Sequence, residues 1–364
     1  MKPLGSIGAA VVGTGFIGAV HVEALRRLGV NVHGVVGSSR ERADRTAAEL
    51  GLPPAYAGFE EMLADERVEV VHITTPNHLH HAQAKAALEA GKHVVCEKPL
   101  AMTLDESADL LRAARESERV HAVNFNLRFY PMCRHVRGII AGGDIGDVRL
   151  ISGCYHQDWL LLESDWNWRV DPKQGGALRA VADIGSHWMD LTAFVAGKRI
   201  VEAMADLATF IKRRDGHEVT TDDAATILLR YEDGTRGAVT ISQVSAGRKN
   251  SLAFEVDGSK SAVAWDSERP DELWLGHRGR ANELLLRDPA LFGDEARGAT
   301  WLPAGHAEGF GETFKALYAS VYRAVAAGKP GTGYPTFADG HESMLVCDAV
   351  ARSSRERRWV EVGR

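Results

Sequence analysis

Ile7-Gly8-Ala9-Ala10-Val11-Val12-Gly13-Thr14-Gly15-Phe16-Ile17-Gly18 is the stretch that decides the fold. An apolar run over 7–12 ends in glycines, and Ile17, Val20, Ala24, Leu25 and Leu28 then recur at helical spacing until Gly29. Strand, tight turn, helix and stop follow one another, and the turn reads G-x-G-x-x-G in the context that gives this motif meaning. Gly13 permits the tight turn, Gly15 lets a pyrophosphate approach the main chain, and Gly18 allows close helix packing. The helix N-terminus adds amide donors and a favourable dipole. Gly13, Gly15, Phe16, Ile17 and Gly18 are therefore expected to bind a dinucleotide.

The same grammar continues outward. Strands are predicted over 30–36, 68–74, 93–96 and 120–125, with helices over 40–50, 59–65, 78–90 and from Thr103, where Thr103 and Glu106 form a capping box. Strands alternating with helices of this length imply parallel strands joined by right-handed crossovers, an α/β doubly wound Rossmann domain over 1–126. Beyond residue 126 helices are predicted over 132–141 and 184–196, followed by strand-like runs over 200–211, 224–231, 235–245, 251–256 and 261–265. Asp233-Gly234 and Asp257-Gly258 separate successive runs, the hairpin signal of an antiparallel sheet. Helices over 311–327 and 338–352 are expected to cover one face of that sheet. Residues 127–364 thus read as an α+β domain for substrate binding and oligomerisation, with a large, mainly antiparallel sheet.

The chain has 364 residues, 45% hydrophobic and 25% charged, which fits two ordinary globular domains and excludes a disordered or fibrous protein. Its longest apolar stretches fall short of the ~18 residues that a membrane span requires. With one lysine and no apolar core before residue 7, the N-terminus does not read as a secretory signal, so a cytoplasmic location is expected. Cys96, Cys133, Cys154 and Cys347 lie far apart and are expected to be free thiols. A net charge of −6 supplies no basic footprint for nucleic acid, and the arginine-rich run over 352–358 reads as a solvated helix end. His78, His80 and His81 lack partners at metal-ligand spacing, so no metal site is expected.

Cofactor choice is read after the second strand, in Val35-Val36-Gly37-Ser38-Ser39-Arg40. No Asp or Glu occurs between Glu23 and Glu41 to hold a ribose 2′-hydroxyl. Ser38, Ser39 and Arg40 are donors suited to a 2′-phosphate, which points to NADP in preference to NAD. The plainer alternative is that a serine caps the next helix and Arg40 is an exposed residue of its first turn.

Thr75-Pro76-Asn77, then Ala90-Gly91-Lys92-His93-Val94-Val95-Cys96-Glu97-Lys98-Pro99, and downstream Asp183-Ile184-Gly185-Ser186-His187 together resemble the Gfo/Idh/MocA family of NAD(P)-dependent sugar and cyclitol oxidoreductases. The resemblance implies that Lys98 hydrogen-bonds the reacting oxygen, that Glu97 lies near the nicotinamide ribose, and that Lys98–Pro99 is cis. It also implies that Thr75, Pro76, Asn77 and His80 lie near the cofactor, and that the protein assembles as a homodimer or homotetramer. The residues make chemical sense by themselves. Asp183 is expected at a helix N-cap with His187 four residues on, so the carboxylate can orient the imidazole as a general base. Without the other motifs, a capping aspartate and a packed histidine would be the commoner reading. Lys98 follows a strand at the carboxyl edge of the sheet, where open α/β proteins bind ligands.

Substrate specificity is expected from the second domain. Asn126 and Arg128 are candidates to face the substrate, as are Asp158, Trp168 and Arg169 in the stretches Gln157-Asp158-Trp159 and Asp165-Trp166-Asn167-Trp168-Arg169. Aromatic planes beside polar groups suit a polyhydroxylated ring, and would equally suit a dimer interface. His306, in a polar loop, is a further candidate. The leading expectation is hydride transfer between a nicotinamide and a secondary alcohol of a small sugar, cyclitol or polyol, with Lys98, Asp183 and His187 catalytic. A non-catalytic nucleotide-binding regulator and a glycoside-cleaving enzyme that oxidises transiently are the alternatives.

Overall fold

The structure is a computed structural model that describes residues 2–363. Its first unit is built on a five-stranded parallel sheet. β1 (Gly8–Val12) is buried at all five positions, as a strand covered on both faces must be. It is followed by α1 (Phe16–Arg27), β2 (Asn31–Val36), α2 (Arg40–Glu49), α3 (Phe59–Ala64), β3 (Val70–Ile73), α4 (His80–Glu89), β4 (His93–Cys96), α5 (Leu104–Ser117) and β5 (His121–Val123). The strand order is β2-β1-β3-β4-β5, so the connections leave β1 in opposite directions and the carboxyl ends of β1 and β3 open a crevice. Val12, Val71, Ile73, Val94 and Cys96 centre the core beneath it.

The second unit contains α6 (Pro131–Ala141), β6 (Val148–His156), α7 (Pro172–Gly175), α8 (Ser186–Ala196) and β7 (Ile200–Ala208). A two-residue ribbon, β8 (Arg213–Arg214) with β9 (His217–Glu218), precedes β10 (Ala224–Tyr231), β11 (Arg236–Ser242), β12 (Ser251–Gly258), β13 (Ser261–Asp266), β14 (Glu272–His277) and β15 (Glu283–Leu286). The chain ends through α9 (Asp294–Arg297), α10 (Phe310–Ala326), α11 (Phe337–Glu356) and β16 (Val360–Glu361). The nine-stranded sheet runs β15-β14-β13-β12-β6-β11-β10-β7-β16, and its pairs are antiparallel except that of β6 with β11. Burial alternates along β10, with Ala225, Ile227, Leu229 and Tyr231 turned inward.

The units are not separated by a single cut at residue 126. Met1–Asn126 is joined by Gly311–Met344, while Leu127–Phe310 is joined by Leu345–Arg364. The helix expected over 311–327 to cover the antiparallel sheet belongs to the first unit instead. The reason is its aromatic face: Phe314, Tyr318 and Tyr322 are buried, and Phe314 and Tyr318 pack on His21, Tyr318 and Tyr322 on His72. β6, β14 and β15 were not among the expected strands. Among the described residues no helix is long and apolar enough to cross a membrane.

Candidate active site

The glycine turn after β1 divides its labour by geometry. Gly13 has φ of 119°, and a Cβ there would lie 2.4 Å from the Thr74 hydroxyl. A Cβ on Gly18 would lie 2.3 Å from the Gly13 carbonyl oxygen, so this glycine lets the helix close on the turn. A Cβ on Gly15 meets nothing within 4 Å. Gly15 therefore leaves open space at the N-terminus of α1, a cradle that fits a pyrophosphate. Phe16 stands exposed beside it, with Ile17 half-buried. After β2, Ser38 is exposed and Ser39 caps α2, its hydroxyl accepting from Arg42 N at 3.3 Å. Arg40 is exposed and donates to Asp44 at 2.7 Å.

Two loops meet at the ends of β3 and β4. Thr75 Oγ1 donates to Gln83 at 2.7 Å, Pro76 is half-buried and Asn77 is buried. The buried His80 ring spans the loops, with Nδ1 2.8 Å from the Pro99 carbonyl and Nε2 2.9 Å from that of Thr75. Burial lowers its pKa. The Lys98–Pro99 bond is cis, and Lys98 is half-buried directly after β4. Glu97 is buried; its Oε1 accepts from His21 Nε2 at 3.0 Å and from the Asn124 amide, and its Oε2 accepts from Lys98 N at 3.2 Å. Burial opposes its ionisation, but the hydrogen bond from His21 and the charge of Lys98 hold the carboxyl below its ordinary value.

In the second unit Asp183 lies inside a wide helical turn, Val181–Gly185, that runs into α8. The expected N-cap position is thus corrected: Asp183 N donates to Arg179 O at 2.7 Å, and α8 begins only at Ser186. Such π-type turns are rare and are found frequently at functional sites. Asp183 Oδ1 accepts from Arg169 Nε at 3.3 Å, and Oδ2 accepts from Gln243 Nε2 at 2.8 Å. Arg169 also lies over the Trp168 ring, 4.4 Å from its centre. His187 is buried in the first turn of α8.

The turn is anchored from below. The buried Asp222 carboxylate accepts from Arg179 N at 2.7 Å and Val181 N at 2.8 Å, while burial pushes its pKa up to about 6. Neighbouring Asp223 accepts from the guanidinium of Arg214 at 2.9 Å and from that of Arg179.

Asp158 accepts from Lys249 Nζ at 2.6 Å and Gly247 N at 3.0 Å. Asn126 is buried in the first unit and donates to Thr313 Oγ1 at 2.8 Å. Arg128 pairs with Asp190 at 2.8 Å. His306 is exposed, in a loop whose carbonyls at Leu302 and Pro303 accept from Arg287 at 3.0 and 3.2 Å. Gln243 was missed from the sequence, where it falls inside the run over 235–245 expected as strand; Arg179, Asp222 and Asp223 were missed as well. Among the described residues no group of three His, Cys, Asp or Glu side chains is arranged to hold a metal ion.

Residues 7–125 match the family model described as the oxidoreductase family with an NAD-binding Rossmann fold, GFO_IDH_MocA, and residues 133–264 match the GFO/IDH/MocA C-terminal domain. Levoglucosan dehydrogenase of Pseudarthrobacter phenanthrenivorans is 30% identical, covering 98% of each chain. A solved levoglucosan dehydrogenase in complex with NADH and levoglucosan superposes with a TM-score of 0.92 at 29% identity, covering 98% of this chain and 100% of that one. An inositol dehydrogenase homolog from Azotobacter vinelandii, complexed with NAD+, gives 0.89 at 28% identity, covering 98% and 97%.

Proposed function

The chain belongs to the Gfo/Idh/MocA oxidoreductase family, and from that premise we propose that it moves a hydride between nicotinamide C4 and a secondary alcohol or ketone carbon of a sugar, cyclitol or related polyol. The observation that carries the reading is Asp183, held between the Arg169 guanidinium and the Gln243 amide on the turn that leads into His187. In the oxidative direction His187 takes the hydroxyl proton, Asp183 supports the resulting imidazolium, and the Lys98 ammonium donates a hydrogen bond to the oxygen as the C–O bond becomes C=O. The C–H bond breaks with its electron pair, for which the bound nicotinamide is the acceptor. Trp168 and Arg169 offer the ring plane and donors that a polyhydroxylated ring needs.

The absence of a carboxylate between Glu23 and Glu41 supports NADP as the preferred cofactor, with Arg40 exchanging Asp44 for a 2′-phosphate. The outer face of the nine-stranded sheet supports a homodimer or homotetramer.

Absorbance at the reduced-nicotinamide band, with NADP and NAD in parallel against inositols, aldoses, anhydrosugars and glycosides, tests the reading. Reduced cofactor is expected with one substrate class, and Lys98→Ala should lower kcat at least a hundredfold while cofactor affinity stays within about threefold. Wild-type turnover in that variant removes Lys98 from the chemistry. Glycoside cleavage without net cofactor reduction replaces the dehydrogenase by the transient-oxidation enzyme.

A further inference from the structure

A run of buried polar groups behind Glu97 takes no part in the steps above. His21 stands on α1 three residues beyond Gly18, His72 on β3 and Tyr322 on α10, and all three are wholly buried within the first unit. His21 Nε2 lies 3.0 Å from Glu97 Oε1, His21 Nδ1 lies 3.0 Å from His72 Nδ1, and His72 Nε2 lies 3.0 Å from the Tyr322 hydroxyl. Tyr318 closes over both imidazoles, its ring centre 5.0 Å from that of His21 and 4.8 Å from that of His72.

The protons in this chain determine one another. A carboxylate only accepts, so Glu97 requires the N–H of His21 at Nε2. In the arrangement with both imidazoles uncharged, Nδ1 of His21 is bare, and a hydrogen bond between the two Nδ1 atoms then places the shared proton on His72. His72 Nε2 is left as an acceptor, which the Tyr322 hydroxyl fills. Burial lowers the pKa of His72 well below the ordinary histidine value, which keeps it neutral as this pattern demands. The titratable and charged groups facing the chain include Glu97 and Lys98 after β4, Cys96 at the end of β4, His80 on α4, Tyr318 and Tyr322 on α10, and Glu69 before β3. At its far end, Glu97 Oε2 accepts from the main-chain N–H of Lys98.

We propose that Tyr322, His72 and His21 form a positioning relay that fixes the Glu97 carboxylate and, through its bond to the Lys98 main chain, holds the Lys98 ammonium in its working direction. The relay's purpose rests on the reading of Lys98 given under Proposed function, whereas its proton arrangement does not. None of the three residues is expected to touch substrate.

Nitrogen-15 NMR of the histidine-labelled protein tests the arrangement without turnover. His72 should carry its proton on Nδ1 and His21 on Nε2; both protonated only on Nε2 would leave the N···N contact without a proton and overturn the relay. The functional arm compares His72→Leu with His72→Asn, whose amide N–H replaces Nδ1–H. His72→Leu should lower kcat roughly ten- to hundredfold with KM moved less than about threefold, and His72→Asn should restore most of it. Wild-type kcat in His72→Leu, or equal loss in both variants, overturns the positioning role. Should His72→Leu not fold, Tyr322→Phe keeps the ring and removes only the donor. It is expected to shift the pH profile of kcat, and an unchanged profile and kcat count against the relay. A wild-type protein with the expected tautomers but no turnover on any substrate defeats the dehydrogenase reading and the purpose of the relay, and leaves the proton arrangement standing.

Discussion

Gly15 and Gly18 belong to one motif and carry opposite burdens. A side chain at Gly15 enters open space, so Gly15→Val should leave the melting temperature nearly unchanged and weaken dinucleotide binding at least tenfold. A methyl at Gly18 drives into the Gly13 carbonyl at 2.3 Å, so Gly18→Ala should cost about 1–3 kcal/mol of stability before any cofactor is added. Paired melting curves and cofactor titrations check both; a destabilised Gly15→Val protein with intact binding would contradict this division. Ser39 shows how a side chain can be claimed twice. Its hydroxyl oxygen already caps α2 by accepting from Arg42 N, while its O–H stays available as a donor.

At the scale of elements, the turn Val181–Gly185 converts distant packing into local aim. Asp222 and Asp223, just before β10, grip its start, and Gln243, just after β11, grips the Asp183 carboxylate. Gln243→Leu should therefore lower kcat/KM about tenfold by removing the amide that holds Asp183 Oδ2, and steady-state kinetics reads the loss. An unchanged kcat/KM would mean that the Gln243 amide is not needed to orient the carboxylate. The glycine turn and the Asp183-x-x-x-His187 spacing were legible because each is a short run of residue types within one stretch of the chain, whatever it packs against. Gln243 was not, because its partner lies 60 residues away on another element. β6 escaped for a similar reason: it pairs in parallel with β11, and Ser152-Gly153-Cys154 interrupts its apolar pattern. α10 showed its apolar face plainly, but which sheet it would cover depended on where His21 and His72 came together.

Across the whole molecule, individual buried groups respond to acid in opposite senses, and each unit supplies an example. In the first, His93 Nδ1 accepts from Val120 N at 2.9 Å and His121 Nδ1 from Phe337 N at 3.1 Å. Burial lowers both pKa values to about 4 from 6.5. The unfolded chain binds these protons first, so stability falls as pH drops from about 6.5 toward 4, by about 1 kcal/mol per histidine at pH 5 once partial exposure is discounted. In the second unit Asp222 is raised from 3.8 to about 6, so its contribution is present below about pH 4 and is lost as pH rises through 6. Calorimetry between pH 7.5 and 5 should show the first unit's transition moving down most. His93→Asn with His121→Asn, which keep an acceptor and remove the titration, should flatten that slope, and an unaltered slope would assign it to other groups.

The outer face of the nine-stranded sheet sets the scale above the single chain. Met204, Leu228, Ala238, Ser152, Glu255, Ala264, Trp274 and Leu284 are register partners in one row across eight strands. Met204, Leu228 and Leu284 are exposed, and a cavity of about 500 Å³ opens among Ser152, Glu255, Ala264, Trp274 and Leu284. A row with apolar side chains at six of its eight positions and three of them exposed is a face that we propose a second copy covers. Leu228 is 43% exposed, so Leu228→Glu adds charge without emptying the core. Light scattering after size exclusion should show the assembly shifted toward monomer, with the melting temperature lowered only as far as the lost partner requires. An oligomer that survives Leu228→Glu unchanged would move the interface off this face, and would leave the row's hydrophobicity to be accounted for within a single chain.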